Sequence, residues 1–479
     1  MRAQIEKLAR QASPLEPDSQ ERERLLAAVA HYAHEFLNQI PDQPAFDEKD
    51  TGSGLLEAKI SETGIGIEAA LELLHQHVDT TGQNPVSPRF LGFIPGGGLY
   101  QAALGDFLAA VTNRYSGNFF ANPGAVRLEN MLLAWLADIA GFPNTAAGNL
   151  TSGGSLAHLT GIVTARDAGQ ISAGRIQSAV VYLTSQTHHS VAKALRIAGL
   201  EGCIIRNIPV DNRWRMDVDA LSQAITADKK AGLHPWLVVP SAGTTNTGSV
   251  DPLPAVADIA NEHDLWLHLD GAYGAFFALC EQGRAKLAGM ERADSIVMDP
   301  HKTLFLPYGS GAILVKDAQK LYASFHAHAD YMGDWTESID ELSPCDLSPE
   351  LSRHFRGLRL WLPLMLVGVA PFRAALAEKL LLARYFYEEI QAADGFRVGP
   401  EPDLAIATFW YEPRRGDTNA FNQRLAQELQ GDGRVFLSTT WLGDRFVLRL
   451  AVGVFRTHLE AIDETLAIVK GTARELVIA

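Results

Sequence analysis

The stretch PAVADIANEHDLWLHLDGAYGAFF, residues 254–277, joins a segment of helical length to an apolar strand that ends on a carboxylate, Asp270. The same unit recurs. Short apolar runs rich in β-branched residues lie at AVVYLT (179–184), CIIRNIPV (203–210), WLVVPSAG (236–243), LWLHLD (265–270), SIVMD (295–299) and GAILVK (311–316). Most are separated by stretches of helical length such as MDVDALSQAITADKKAG. Strands apolar on both faces, alternating with helices, predict an α/β fold with a mostly parallel sheet covered on both sides. The gap between SIVMD and GAILVK is too short for a helical crossover, so one of these two strands is expected to run antiparallel.

Working outward, residues 1–85 read as helices joined by polar loops. Leu25, Ala28, Val29, Tyr32 and Phe36 share one helical stripe, and GIEAALELLHQHV makes a second helix. NPVSPRFLGFIPGGG (84–98) breaks that pattern. The stretch FRGLRLWLPLMLVGVAPFRAALAEKLLLARYFYEEI predicts a long helix broken near Pro371. Beyond it, LAIATFWY, RVFLSTTWL and DRFVLRLAV predict a smaller α/β unit. The expected boundaries are an N-terminal helical segment (1–85), a large domain (86–370) and a small C-terminal domain (371–479).

The chain has 479 residues, 47% hydrophobic and 20% charged, an ordinary globular composition. Its length exceeds what one core usually supports. A net charge of −15 argues against nucleic acid or an anionic membrane surface as partner. The N-terminus lacks the apolar core of a secretory signal. The longest apolar run, LWLPLMLVGVAPF (360–372), is too short to span a bilayer and holds two prolines. Three cysteines without a CxxC pair give neither a disulfide framework nor a thiolate metal site. A soluble cytoplasmic protein is expected.

In open α/β sheets ligands bind beyond the C-terminal ends of the strands, so the polar residues there matter most. TSGGSLAHLTGIVTAR (151–166) sets a Ser-Gly-Gly-Ser turn before a helix, where backbone N–H groups can hold a phosphate. It has neither the P-loop lysine nor the GxGxxG spacing. LTSQTHHSVAKAL brings His188 and His189 to a strand–helix junction, PSAGTTNTGSVDP ends a strand on small hydroxyl residues, and Asp270 ends another. MDPHKTLFLPYGSG (298–311) places Lys302 beside an apolar run that would keep its amine neutral enough to react with an aldehyde. Each has a plainer reading alone: a helix cap for the turn and for His188, a surface amine for Lys302. Together they supply an anion cradle, an imidazole, a carboxylate for a ring nitrogen and an amine for an aldehyde. That set matches pyridoxal 5'-phosphate.

DPHK, HLDGAYG, SAGTTNTGSVDP, THHSV, FLGFIPGG, NPGAVRLENMLLAWLADIAGFP and RHFRGLRLWLPLMLVGV resemble the group II pyridoxal-phosphate amino-acid decarboxylases, such as the aromatic-L-amino-acid, histidine and glutamate decarboxylases. The resemblance runs from about residue 20 to 470. It implies fold type I, the aspartate aminotransferase-like architecture, with a mostly parallel seven-stranded sheet, a homodimer and an amino-acid decarboxylase. By the same resemblance Lys302 would carry the cofactor as an imine, with His301 near the phosphate. Gly153, Gly154 and Ser155 would hold the phosphate. Asp270 would pair with the ring nitrogen, Ala272 and His188 would cover the two ring faces, and Thr244 would line the cofactor. Phe93, Ile94, Pro95 and Gly96 match the family's substrate-side loop, and the N-terminal helices would wrap a partner subunit.

Two departures stand out. The loop reads PGGG (95–98), where the family carries bulkier residues after the proline. The family's mobile loop presents a tyrosine that returns a proton; here that position falls at Pro344 and Cys345, and Tyr331 lies well upstream. An aldehyde-forming decarboxylation and a carbon–carbon lyase reaction therefore stand as alternatives to simple decarboxylation.

Overall fold

The computed structural model describes residues 1–50, 52–326 and 341–478. A two-stranded ladder, β1 (Phe46–Asp47) and β2 (Gly82–Gln83), ties the N-terminal region together. The main sheet has seven strands: β3 (Ala147–Thr151), β4 (Ala179–Thr184), β5 (Ile204–Ile208), β6 (His234–Val238), β7 (Trp266–Asp270), β8 (Ser295–Met298) and β9 (Gly311–Val315). Their order is β3-β9-β8-β7-β6-β4-β5. Only β9 runs against the others, pairing antiparallel with both β3 and β8, as the short β8–β9 connection requires.

All six residues of β4 are buried. Val180 and Tyr182 join one hydrophobic cluster, Ala179, Val181 and Leu183 the other. This is the two-residue alternation of a strand with helices on both sides. The inverted β9 leaves β3 parallel to the rest, so the C-terminal ends of β3, β4, β6, β7 and β8 open on one side of the sheet. Every candidate cofactor residue follows one of those ends.

A second, antiparallel sheet is built from β10 (Phe396–Val398), β11 (Ile406–Tyr411), β12 (Ser438–Leu442) and β13 (Arg445–Ala451), in the order β10-β11-β13-β12. The expected long helix is two, Gly357–Val367 and Ala370–Gln391, bent by 95°. The break falls at Gly368, at φ 71°, rather than at Pro371, which sits in the first turn of the second helix where its missing N–H is harmless. Among the described residues no single helix is long and apolar enough to cross a membrane.

The N-terminal helix Ser19–Gln39 is capped by Asp18, whose side chain accepts from the Glu21 N–H, yet it buries no residue completely. Leu26 and Val29 remain half exposed. The helix Tyr100–Thr112 likewise exposes Leu104, Phe107, Leu108 and Val111.

Candidate active site

Five strand ends converge on a cavity of about 400 Å³. Lys302 lies on its wall, in the single turn Pro300–Thr303 that follows β8. Its Nζ stands 3.1 Å from Oδ2 of Asp299, a side chain only 2% exposed. The flanking Leu304, Phe305 and Leu306 are buried, as their sequence suggested. The amine thus has a buried carboxylate as its immediate partner, while the apolar run packs behind it. The other Asp299 oxygen, Oδ1, is buried without a partner among the described residues. His301 donates from Nδ1 to the Ser310 carbonyl, and burial pushes its pKa down.

Asp270 ends β7, and its Oδ1 accepts from the Ala272 N–H at 3.2 Å. Oδ2 lies 3.6 Å from Nε2 of His158, on the helix Gly154–Ala168. Burial opposes ionisation here, but His158, then Lys302 and His188, outweigh it and hold the carboxyl below the usual range.

His188 caps the helix His189–Ile197, accepting at Nδ1 from the Ser190 N–H at 3.3 Å. Its Nε2 is therefore left to carry the ring's hydrogen. Burial pushes His188 down to about 4. An unfolded histidine titrates near 6.5, so between these values the folded chain binds fewer protons than the unfolded one. The stability attached to neutral His188 is complete above about 6.5 and is lost as the pH falls toward about 4. Between about pH 7 and 4.5, the wild-type apoprotein should lose more of its urea midpoint than His188→Gln. Equal losses would place the proton uptake at other groups.

Gly153 and Gly154 form the start of the Gly154–Ala168 helix, and no side chain caps it among the described residues. Gly153 holds φ 152°, which side chains rarely adopt, and a Cβ on Gly154 would lie 2.8 Å from Asp299 Oδ2. Ser155 follows on the same wall. Free first-turn N–H groups at the positive end of a helix suit a phosphate. On the same cavity wall, the ionised Asp270 offers a charge that a protonated ring nitrogen would match. With Lys302 between the two, the residues fit pyridoxal phosphate.

Gly153, Gly154, Ser155, His188, Asp270, Ala272, His301 and Lys302 all line the cavity. Thr244 is not among these wall residues. Its hydroxyl turns inward to the Thr247 hydroxyl at 2.8 Å, because the turn after β6 folds back on itself, and Thr245 takes the wall position. Phe93, Ile94, Pro95 and Gly96 also lie outside the cavity wall. Gly96 packs on Tyr308, a wall residue, while Phe93 is 43% exposed.

Pro344 and Cys345 sit in a short turn pinned by Asn149, which donates to the Pro344 carbonyl, and by the Cys345 N–H to the Gly117 carbonyl. Burial pushes the Cys345 thiol up to about 11. It does not line the cavity, so it is not placed as a proton donor. Tyr331 and the rest of 327–340 lie outside the described residues. Sequence reasoning missed His158, Asp299, Tyr273 and Tyr308 on the wall. It also missed Arg449 on β13, whose guanidinium reaches the carbonyls of Gly92, Thr245 and Asn246 and so ties the small sheet to both loops.

A model of the pyridoxal-dependent decarboxylase conserved domain matches residues 53–412. The aromatic-L-amino-acid decarboxylase of Bacillus atrophaeus is 36% identical over 452 residues, which cover 93% of this chain and 94% of that one. Tryptophan decarboxylase 1 of Oryza sativa subsp. japonica is 31% identical over 416 residues, 81% of each chain. The crystal structure of an Oryza sativa TDC with PLP and tryptamine superposes with a TM-score of 0.91 at 28% identity, covering 96% of this chain and 99% of that chain.

Proposed function

As this chain belongs to the pyridoxal-dependent decarboxylase family, we propose that the L-amino acid it decarboxylates is an aromatic one, released as the amine. Pyridoxal 5'-phosphate is its cofactor. The observation that carries the reading is a single cavity where Lys302, the ionised Asp270 and an uncapped helix start meet. The aromatic preference is supported by similarity to an aromatic-L-amino-acid decarboxylase along nearly the whole chain.

When bound, the cofactor supplies an aldehyde for the substrate amine and a ring that accepts the electrons left when CO2 departs. The chain's residues do the rest. Lys302 Nζ, 3.1 Å from Asp299 Oδ2, would hold the cofactor's aldehyde. Asp270 would favour a proton on the ring nitrogen. Gly153, Gly154 and Ser155 offer backbone N–H groups to the phosphate, with His301 beside them. Ala272, His188 and Thr245, on the cavity wall, would hold the ring.

Phe93, 43% exposed and outside the wall of its own cavity, fits a loop that completes the cavity of a second copy, together with Ile94, Pro95 and Gly96. The apolar faces of the helices Ser19–Gln39 and Tyr100–Thr112 are the surface such a homodimer would bury. The division at residues 85 and 370 then separates a dimerising arm, the cofactor domain and the small sheet. Free Cys203, Cys280 and Cys345 suit a cytoplasmic location.

The test is a panel of L-amino acids assayed for CO2, amine and aldehyde. Tryptophan, tyrosine and phenylalanine should exceed glutamate in kcat/KM by about 10²-fold or more. A preference for glutamate, or aldehyde as the main product, would overturn the substrate or the product assignment respectively.

A further inference from the structure

Asp270 does not stand alone. Trp266, His268 and Asp270 alternate along β7 and so face the same side of the sheet. Ser295, on β8, is the register partner of His268. His158 comes down from the covering helix, and Gly161, one turn on, lets that helix approach: a Cβ there would lie 2.6 Å from the His268 ring. The result is a buried chain of three hydrogen bonds that ends at ion-pair distance from the Asp270 carboxylate. Trp266 Nε1 is 2.8 Å from Ser295 Oγ, and Ser295 Oγ is 2.7 Å from His268 Nδ1. His268 Nε2 is 3.0 Å from His158 Nδ1, and His158 Nε2 is 3.6 Å from Asp270 Oδ2. Ser295 and His268 are fully buried and His158 is 1% exposed.

The direction of these bonds follows from the first. An indole nitrogen can only donate, so Ser295 Oγ accepts from Trp266. The Ser295 hydroxyl hydrogen has one remaining partner among the described residues, His268 Nδ1. If His268 instead donated to Ser295, that hydrogen would be buried unpaired. His268 therefore accepts at Nδ1 and carries its hydrogen on Nε2, toward His158 Nδ1. His158 accepts there and carries its hydrogen on Nε2, toward Asp270.

We propose that Trp266, Ser295, His268 and His158 are positioning residues that orient one N–H onto Asp270 without cancelling its charge, leaving that charge for the cofactor's ring nitrogen. The inference rests on the proposed pairing of Asp270 with that nitrogen. Reversed, the chain would present a lone pair to the carboxylate, or a doubly protonated His158 that neutralises it. The other titratable groups facing Asp270 among the described residues are His188, on the neighbouring strand–helix junction, and Lys302, after β8.

The experiment loads the full chain with pyridoxal phosphate labelled with 15N in the ring and reads the nitrogen's protonation by solid-state NMR, alongside the cofactor's dissociation constant. Wild type should give the protonated signal. Trp266→Phe and His268→Leu should each add a neutral-nitrogen signal and weaken cofactor binding roughly ten-fold, the worth of a hydrogen bond to a charged group. His268→Gln should restore both readouts, because its amide oxygen accepts from Ser295 while its NH2 donates to His158. Equal behaviour of the Leu and Gln variants would mean that position 268 only fills space, and the proposal fails. If His268→Leu does not fold, Trp266→Phe decides, and a wild-type signal from it overturns the proposal. A neutral nitrogen in wild type, or a signal unchanged in Asp270→Asn, instead removes the Asp270 pairing itself and the proposal with it.

Discussion

Lys302→Ala is expected to bind pyridoxal phosphate without covalent attachment. Borohydride treatment should add the cofactor's mass to the peptide bearing Lys302 in wild type and to no peptide in the variant. Turnover should fall by at least about 10²–10⁴-fold, the span for one positioned proton-transfer group, because the variant loses the one amine placed both to hold the aldehyde and to move protons beside it. The substitution has a second effect. Asp299 already keeps one oxygen without a partner among the described residues, and removing Lys302 deprives the other of its 3.1 Å contact. This buried carboxylate is then left with only His301 Nε2, 3.8 Å from the same oxygen, and losing the closer partner costs up to about 3–5 kcal/mol. Lys302→Arg separates the two effects. It keeps a cation for Asp299 and should restore the unfolding midpoint while remaining unlabelled by borohydride. Turnover retained together with a reducible adduct on another lysine would remove Lys302 from its assigned role.

Most of this arrangement was legible in the chain, and the gaps have physical causes. Six strands of the main sheet announce themselves as apolar runs, and the inverted β9 follows from a connection too short to cross over. β3 escapes because Gly148 and Asn149 are poor strand formers; Gly148 is tolerated there because a Cβ would strike the Ile313 carbonyl across the ladder, at 2.2 Å. β10 is only three residues long. The threonines after β6 show where register stops being readable. Period-two alternation ends with β6, and in the irregular turn beyond it nothing local says which of Thr244 and Thr245 faces the cavity. Phe93 to Gly96 cannot be placed from one chain if their target lies in another. The histidine relay did leave a signal, in His268 two residues before Asp270 and His158 three before Gly161. Reading it requires knowing which helix covers β7, which only the packed structure supplies.

Asp270→Asn should leave the fold in place and strip catalysis. The amide matches the carboxylate in size, yet it cannot satisfy the same surroundings. Both Asp270 oxygens face donors, the Ala272 N–H at one and His158 Nε2 at the other. An asparagine offers one acceptor and one NH2, so whichever way it turns, one donor meets another donor. The larger loss is the charge itself. A neutral side chain no longer favours a proton on the cofactor's ring nitrogen, and the ring then accepts electrons poorly when the carboxyl group departs. Removing the partner of a buried charge is worth on the order of 3–5 kcal/mol. Felt in the transition state, that is roughly two to four decades of kcat. Asp270→Glu keeps the charge but moves it by a methylene, so it should fall between wild type and Asp270→Asn. The comparison that matters is kcat against the unfolding midpoint of the apoprotein. A large fall in kcat with a nearly constant midpoint assigns the carboxylate to the cofactor. A midpoint that falls in step with kcat would instead make Asp270 a structural anchor for His158 and the strand end, and the ring nitrogen would need another partner.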